Sequence, residues 1–215
     1  RINNLAVVVM DVRSGEVLAY AGNVYDPGDR SAGTGVDVIP ARRSSGSVLK
    51  PILYAGMLDD GTALPTMLFP DVPTYYRDFT PHNYNRTFDG AVPADRVVER
   101  SLNVPSVRML DKYGKENFLA LVRALGFGTI DRSAAHYGLS LILGGAEISL
   151  WDLTSAYMKL AAKLNGRQTI RTPHYDPDGG TAVDAGDIPL SRGAIWLMAN
   201  SISHVARPEE EGEWQ

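Results

Sequence analysis

The sequence predicts an α+β fold in which one N-terminal β-hairpin precedes a predominantly helical body. Three observations predict it: an apolar, β-branched start interrupted by a tight turn, helical spacing of apolar residues in later segments, and no run of further strands downstream. The 215 residues are 44% hydrophobic and 21% charged, with a formal net charge of -4, which is typical of a globular protein and gives no electrostatic basis for binding nucleic acid. The absence of cysteine excludes disulfide scaffolds, thiolate metal sites and cysteine nucleophiles.

The hairpin is predicted from two apolar segments, Leu5 to Val12 and Val17 to Gly22, which are joined by the turn-forming residues Arg13 to Glu16. A two-stranded sheet is marginally stable by itself, and its open edges pair readily with further strands. We therefore expect this sheet to be completed by strands that lie beyond Gln215 or come from another chain.

A long loop and a first helix follow the hairpin. Residues 23–45 are rich in Gly, Pro, Asp and Arg without a sustained period, which predicts a loop. Apolar spacing from Ser47 to Asp60 predicts a buried helix. Because Pro51 is tolerated only in the first turn, this helix should begin within one or two residues of Ser47.

Loops and helices alternate through the rest of the chain. We expect a loop over Asp71 to Pro93, a short helix over Ala94 to Arg100 and a break over Ser101 to Pro105. Helical spacing then predicts helices over Lys115 to Leu125, Ile148 to Leu164 and Leu190 to Val205. The Asp- and Gly-rich stretch between the last two is expected to be a surface hairpin or a loop.

Ser47 and Lys50 form an SxxK pair on one face of the predicted first helix. A serine hydroxyl is a poor nucleophile until a base takes its proton, and a lysine can be that base only if desolvation or a nearby cation lowers its pKa. Backbone N–H groups at a helix start could stabilise the oxyanion of an acyl transfer. The alternative is a capping serine beside a solvated lysine.

A second polar cluster, Ser101-Leu102-Asn103, falls on the predicted break between helices. SxxK followed by such a Ser/Asn triplet resembles the penicillin-binding protein and serine β-lactamase superfamily, whose third signature is a KTG triplet. Taken without that resemblance, Ser101 and Asn103 could equally be a helix cap and turn pair.

The resemblance extends to longer segments. They are Ala6 to Asp11, Ser14 to Ala19, Arg100 to Pro105 and Leu143 to Glu147. Over about residues 4 to 165 the sequence is similar to the transpeptidase domain of bifunctional, class A penicillin-binding proteins, and the stretch 136–143 is similar to the 1C type. The resemblance implies the α+β penicillin-binding fold.

The resemblance also implies roles for four residues. Ser47 would be acylated by a peptidoglycan stem peptide ending in D-Ala-D-Ala, and by β-lactam antibiotics, with Lys50 as the proton acceptor. Ser101 would relay a proton towards Lys50 and the leaving amine. The Asn103 amide would bind a substrate carbonyl and help to hold Lys50.

The sequence departs from the family in one respect, because no KTG triplet, nor any Lys or His followed by Ser/Thr and Gly, occurs in it. In the family this triplet lies on a strand beside the serine, binds the substrate carboxylate and contributes an oxyanion donor. We therefore expect residues 1–215 to be the N-terminal portion of a transpeptidase domain that stops before the KTG strand, with weak or no activity by itself.

For the whole protein, the resemblance implies action on the periplasmic or extracytoplasmic side of the membrane, with an upstream anchor and glycosyltransferase domain. No cofactor or metal is implied. The four histidines, His82, His136, His174 and His204, lack metal-ligand spacing.

Two other functions remain open. A serine DD-carboxypeptidase or β-lactamase would use the same nucleophile but pass the acyl group to water. A non-catalytic scaffold or sensor module would account for the missing triplet, although it would have no need of an activated Ser47.

Overall fold

The computed structural model describes residues 4–24, 33–76, 79–174 and 183–204, and the structural statements below concern these residues. The chain divides into two compact units. The first comprises Arg1–Ser44, Val122–Asp131 and Glu147–Pro189, and the second comprises Ser45–Leu121, Arg132–Ala146 and Leu190–Gln215.

Short strands and longer helices make up the described residues. The strands are β1 (Val7–Met10), β2 (Val17–Ala21), β3 (Arg43–Ser44), β4 (Leu68–Asp71), β5 (Gly90–Pro93) and β6 (Glu147–Ile148). The helices are α1 (Lys50–Asp59), α2 (Ala94–Glu99), α3 (Asn103–Tyr113), α4 (Lys115–Ala124), α5 (Ala134–Tyr137), α6 (Leu150–Leu164) and α7 (Arg192–Ser203), with a 3-10 helix at Gly138–Leu143.

The first unit contains the predicted hairpin, in which β1 and β2 pair antiparallel. Its turn is fixed by Asp11, whose Oδ1 accepts hydrogen bonds from Arg13 N at 2.8 Å and Ser14 N at 2.7 Å. Helix α6 packs against β1 and is capped by Ser149, whose Oγ accepts from Asp152 N at 3.0 Å. The predicted hairpin and α6 are thus both present.

The second unit is built around α1, which is apolar on nearly all sides. Its residues Ile52, Leu53, Tyr54, Ala55 and Met57 are at most 1% exposed. In this unit α1 packs against α2, α3 and α7, and α3 also packs against β4 and the 3-10 helix. A helix that is apolar all round is expected at the centre of a core, and α1 occupies that position.

Helix α1 begins later than predicted, at Lys50 rather than next to Ser47. The intervening residues form tight turns, in which Val48 N donates to Ser45 O and Lys50 N donates to Ser47 O. Pro51 still lies in the first turn, as its missing N–H requires.

The predicted loop over residues 71–93 is bounded by an antiparallel hairpin of β4 and β5, which the sequence reasoning missed. Both strands are short and contain proline, and β5 starts with a glycine, so neither has the alternation that predicts a strand. The predicted break ends at Leu102, because Asn103 already begins α3 with Pro105 in its first turn.

In the described residues the β1–β2 sheet has two strands, and an isolated bridge joins Glu16 to His174. Part of the predicted hairpin or loop between α6 and α7, residues 175–182, lies outside the described residues. None of the described helices is long and apolar enough to cross a membrane.

Gly145 lies close to the backbone of Ser140, next to a residue that is hydrogen-bonded to the segment before Ser47. Its N–H donates to Ser140 O at 2.8 Å, and the neighbouring Ala146 O accepts from Ser45 N at 2.8 Å. A Cβ on Gly145 would lie 2.8 Å from the backbone carbonyl of Ser140, so a side chain requires the backbone to move.

We therefore expect Gly145→Ala to lower the free energy of unfolding by about 1–3 kcal/mol, the usual cost of overpacking. Gly128→Ala is the matched control, because a Cβ there meets no atom within 4 Å. Urea unfolding of the two variants measures the difference, and equal stabilities would contradict this role of Gly145.

Candidate active site

Lys50 lies where the starts of α1 and α3 meet in the second unit. Its Nζ donates hydrogen bonds to Ser101 O at 2.7 Å and to Asn103 Oδ1 at 2.7 Å, and it lies 3.3 Å from Ser101 Oγ. Lys50 is the first residue of α1, and Asn103 is the first residue of α3. The structure therefore brings three of the four predicted site residues into direct contact.

The Lys50 side chain is buried, with 2% of its surface exposed. Burial penalises the ammonium form and lowers the pKa of Lys50 from 10.5 to about 7. Its three contacts are all with uncharged groups. A solvated lysine, the alternative considered from the sequence, is therefore wrong.

The three contacts fit a neutral amine, which has two N–H donors and one lone pair. A backbone carbonyl and an amide oxygen can only accept, so Ser101 O and Asn103 Oδ1 take the two N–H groups. The hydroxyl of Ser101, in contrast, can donate or accept, so it can face the lone pair. Every hydrogen-bonding group of the unprotonated amine thus has a partner.

Ser47 lies in the turn before α1 and is half-buried. Its carbonyl accepts from Lys50 N at 3.1 Å. Within the described part of the chain its hydroxyl makes no hydrogen bond, and its N–H donates to no acceptor. The expected contact between the Ser47 hydroxyl and the Lys50 amine is therefore absent from this structure, and the cap of α1 is Leu49 rather than this serine.

Ser101 has a backbone conformation that residues other than glycine rarely adopt, with a φ of 50°. It follows the end of α2 and precedes the extended Leu102, which occupies the N-cap position of α3 without a side-chain hydrogen bond. This conformation accompanies the carbonyl contact with Lys50. Strained backbone of this kind concentrates at functional sites and costs about 1–3 kcal/mol.

The sequence reasoning missed two neighbours of Asn103. The Asn103 Nδ2 donates to His82 O at 2.8 Å, and Asn103 N donates to Asn83 Oδ1 at 3.0 Å. These contacts orient the Asn103 amide so that its oxygen faces Lys50. An asparagine in a loop rich in proline and aromatic residues gives no signal of such a contact, because the contact depends on how the loop folds back.

Among the described residues there is no cluster of three or more His, Cys, Asp or Glu side chains that could hold a metal ion. The site is instead a lysine, two hydroxyls and an amide. Such a set can move a proton and form an ester, which are the two requirements of serine acyl transfer.

The sequence matches the penicillin binding protein transpeptidase domain over residues 5–188, and the chain belongs to this family. It is 35% identical to penicillin-binding protein 1C of Escherichia coli (strain K12) over 207 residues, which are 96% of this chain and 26% of that protein. It is 29% identical to penicillin-binding protein 1F of Bacillus subtilis (strain 168), covering 94% of this chain and 28% of that protein. The chain thus spans about a quarter of the length of these curated relatives.

The fold also matches a solved structure, the penicillin-binding protein PonA1 from Mycobacterium tuberculosis. The TM-score is 0.72 at 19% identity, and the match covers 94% of this chain and 56% of that chain. The predicted family and the predicted α+β penicillin-binding fold are both confirmed, and a relative of the predicted 1C type is among the matches.

Replacing Lys50 by methionine tests the burial of the amine. Because the pKa of Lys50 falls from 10.5 to about 7 on folding, the unfolded chain holds one more proton than the folded chain between these values. The stability of the wild-type protein should therefore rise with pH, relative to Lys50→Met, from about pH 7 to about pH 10, and this relative gain should be absent below about pH 7. Urea unfolding of both proteins across this range measures the effect. A stability difference that does not change with pH would contradict it.

Proposed function

We propose that this chain carries the nucleophile and base of a peptidoglycan DD-transpeptidase, with Ser47 as the residue that is acylated. One observation supports this proposal above the others: the buried, hydrogen-bonded amine of Lys50, one turn along the chain from Ser47, has a pKa of about 7. An amine with that pKa is a base at neutral pH, whereas an exposed lysine is not.

In the first step the Ser101 hydroxyl rotates off the lone pair of Lys50 Nζ, and the Ser47 hydroxyl turns towards this lone pair and gives its proton to it. The Ser47 Oγ forms a bond to the carbonyl carbon of the penultimate D-alanine, and the carbonyl oxygen becomes an oxyanion. The Ser47 N–H is available to donate to that oxyanion. Hydrogen bonds of this kind are often long or absent before the substrate binds.

In the second step the bond from the carbonyl carbon to the nitrogen of the terminal D-alanine breaks. Ser101, 3.3 Å from Lys50 Nζ, relays the proton from the amine to that leaving nitrogen. The product is an ester on Ser47, and free D-alanine departs. An amine of a second stem peptide then attacks the ester, forms the cross-link and returns the proton to Ser47.

The substrate carboxylate requires a further group. Residues 1–215 contain no KTG triplet, so we place the triplet, and the strand that carries it, outside them, in the same protein or on another chain. By the same reasoning residues 1–215 are one portion of a transpeptidase domain. The whole protein would work outside the cytoplasmic membrane, anchored there beside a glycosyltransferase domain.

Labelling with a fluorescent penicillin tests the nucleophile. In the full-length protein that contains this chain, the label should form an ester with Ser47, and Ser47→Ala should reduce the labelling rate by at least about 10³-fold. Peptide mapping by mass spectrometry locates the label.

Ser45→Ala is the matched control for that experiment. Its Oγ is buried without a hydrogen-bond partner, so its loss should leave labelling intact. A full-length protein that stays unlabelled would overturn the proposal. With an amine acceptor present, formation of hydrolysis product alone would favour a carboxypeptidase or β-lactamase instead.

The pH dependence of labelling tests the base. Because Lys50 must be unprotonated, the second-order rate of acylation should rise about tenfold per pH unit below the pKa and level off above about pH 7. Stopped-flow measurement on full-length protein gives the profile. A rate that is flat from about pH 5 to about pH 9 would contradict general-base action by Lys50.

A further inference from the structure

A buried carboxylate that the proposed chemistry does not use lies at the end of β4. Asp71 is 0% exposed, and both its hydrogen-bond partners are uncharged. Its Oδ1 accepts from Asn83 Nδ2 at 2.8 Å, and its Oδ2 accepts from Asp89 N at 3.0 Å. A buried carboxylate is costly unless its oxygens are hydrogen-bonded, so Asp71 strongly favours the one amide orientation of Asn83 that supplies a donor.

Asn83 is itself 3% exposed, and all the hydrogen-bonding capacity of its side-chain amide is used. Its Nδ2 donates to Asp71 and to Thr87 O at 2.9 Å. Its Oδ1 accepts from Asn103 N at 3.0 Å and from Val104 N at 3.2 Å.

The two amides that Asn83 accepts from are the first two of α3, and a helix leaves these N–H groups without partners of its own. The local cap residue, Leu102, has no side-chain group to supply. Asn83 therefore caps α3 from a separate segment of the chain. The preceding residue, His82, accepts from the Asn103 side chain, so the segment 82–83 holds both the backbone and the amide of Asn103.

We propose that Asn83, oriented by Asp71, is a positioning residue for the Lys50 base. It fixes the first turn of α3 so that Asn103 Oδ1 and Ser101 O stay on the amine of Lys50 and keep water away from it. The inference rests on the proposed transpeptidase function, because it assigns Asn83 to the geometry of that reaction. The alternative is a structural role alone, in which the Asp71–Asn83 hydrogen bond only stabilises the loop between β4 and β5.

An exchange of the two side chains tests the proposal in the full-length protein. Asp71→Asn alone leaves one oxygen at position 71 for two donors, Asn83 Nδ2 and Asp89 N. The new amide N–H group must therefore face one of these N–H groups. Asn83→Asp alone places two carboxylates where a donor and an acceptor met. In the double variant the amide at position 71 can donate to the carboxylate at position 83 and still accept from Asp89 N. The bond to Thr87 O is replaced by a contact between two acceptors, so the recovery is expected to be incomplete.

The first readout is the second-order rate of acylation of Ser47 by penicillin, corrected for the folded fraction. Each single variant should be slower by about tenfold or more, and the double variant should return to within about threefold of wild type.

The second readout is the pH midpoint of acylation, which a purely structural role would not move. Ser101 and Asn103 are the described groups on the amine, neither is charged, and no described charged side chain shifts the pKa of Lys50. The pH midpoint of acylation therefore reports how far water is excluded from the Lys50 amine. It should rise in Asp71→Asn, which adds no negative charge near the amine, as water reaches Lys50. The two variants with a carboxylate at position 83 are compared by rate alone, because that charge itself favours the ammonium form.

Ser149→Ala is the stability control, because it removes the cap of α6 at a place remote in the sequence from the Asn83 contacts. It should lower the melting temperature while leaving the acylation rate of the folded protein unchanged.

Wild-type rates in the single variants, or a slow rate in Asp71→Asn with an unmoved pH midpoint, would overturn the positioning role while leaving the proposed function in place. Failure of the double variant to recover would also overturn it. An unlabelled wild-type protein would overturn the proposed function, and this inference with it.

Discussion

The exclusion of water from the Lys50 amine is the constraint on which the rest of the site depends. Burying a cation is unfavourable, so burial of the unprotonated amine has the lower free energy. That state leaves two donors and a lone pair to be satisfied, and the backbone and side chains at residues 101–103 satisfy them. The starts of two helices, α1 and α3, meet here.

The surrounding elements can be understood as the support of that arrangement. Helix α1 carries Lys50 into the core of the second unit because it is apolar on nearly all sides. The break at Ser101 turns a carbonyl towards the amine, at the expense of backbone strain. The loop between β4 and β5 folds back and caps α3 through Asn83. Two segments of sequence therefore meet at one nitrogen atom, and a third supports this contact indirectly through the first turn of α3.

Sequence reasoning succeeded where the signal is local and failed where it is not. The hairpin, α4, α6 and α7 follow from turn residues and from periodic apolar spacing, and the family follows from SxxK and the Ser101-Leu102-Asn103 triplet. The β4–β5 hairpin was missed because its strands are short and contain proline. The Asp71–Asn83 contact was missed because it joins residues whose neighbours in the sequence suggest only a loop. The roles of Ser47, Lys50, Ser101 and Asn103 remain predictions.

The left-handed backbone of Ser101 restricts which amino acids can occupy that position. Threonine would preserve the hydroxyl, but a β-branched side chain is strongly disfavoured at positive φ. Glycine would adopt the backbone freely, yet it has no hydroxyl to offer. Under the proposed relay, the need for a hydroxyl and the left-handed backbone are met together by serine, so few other side chains would be tolerated at this position.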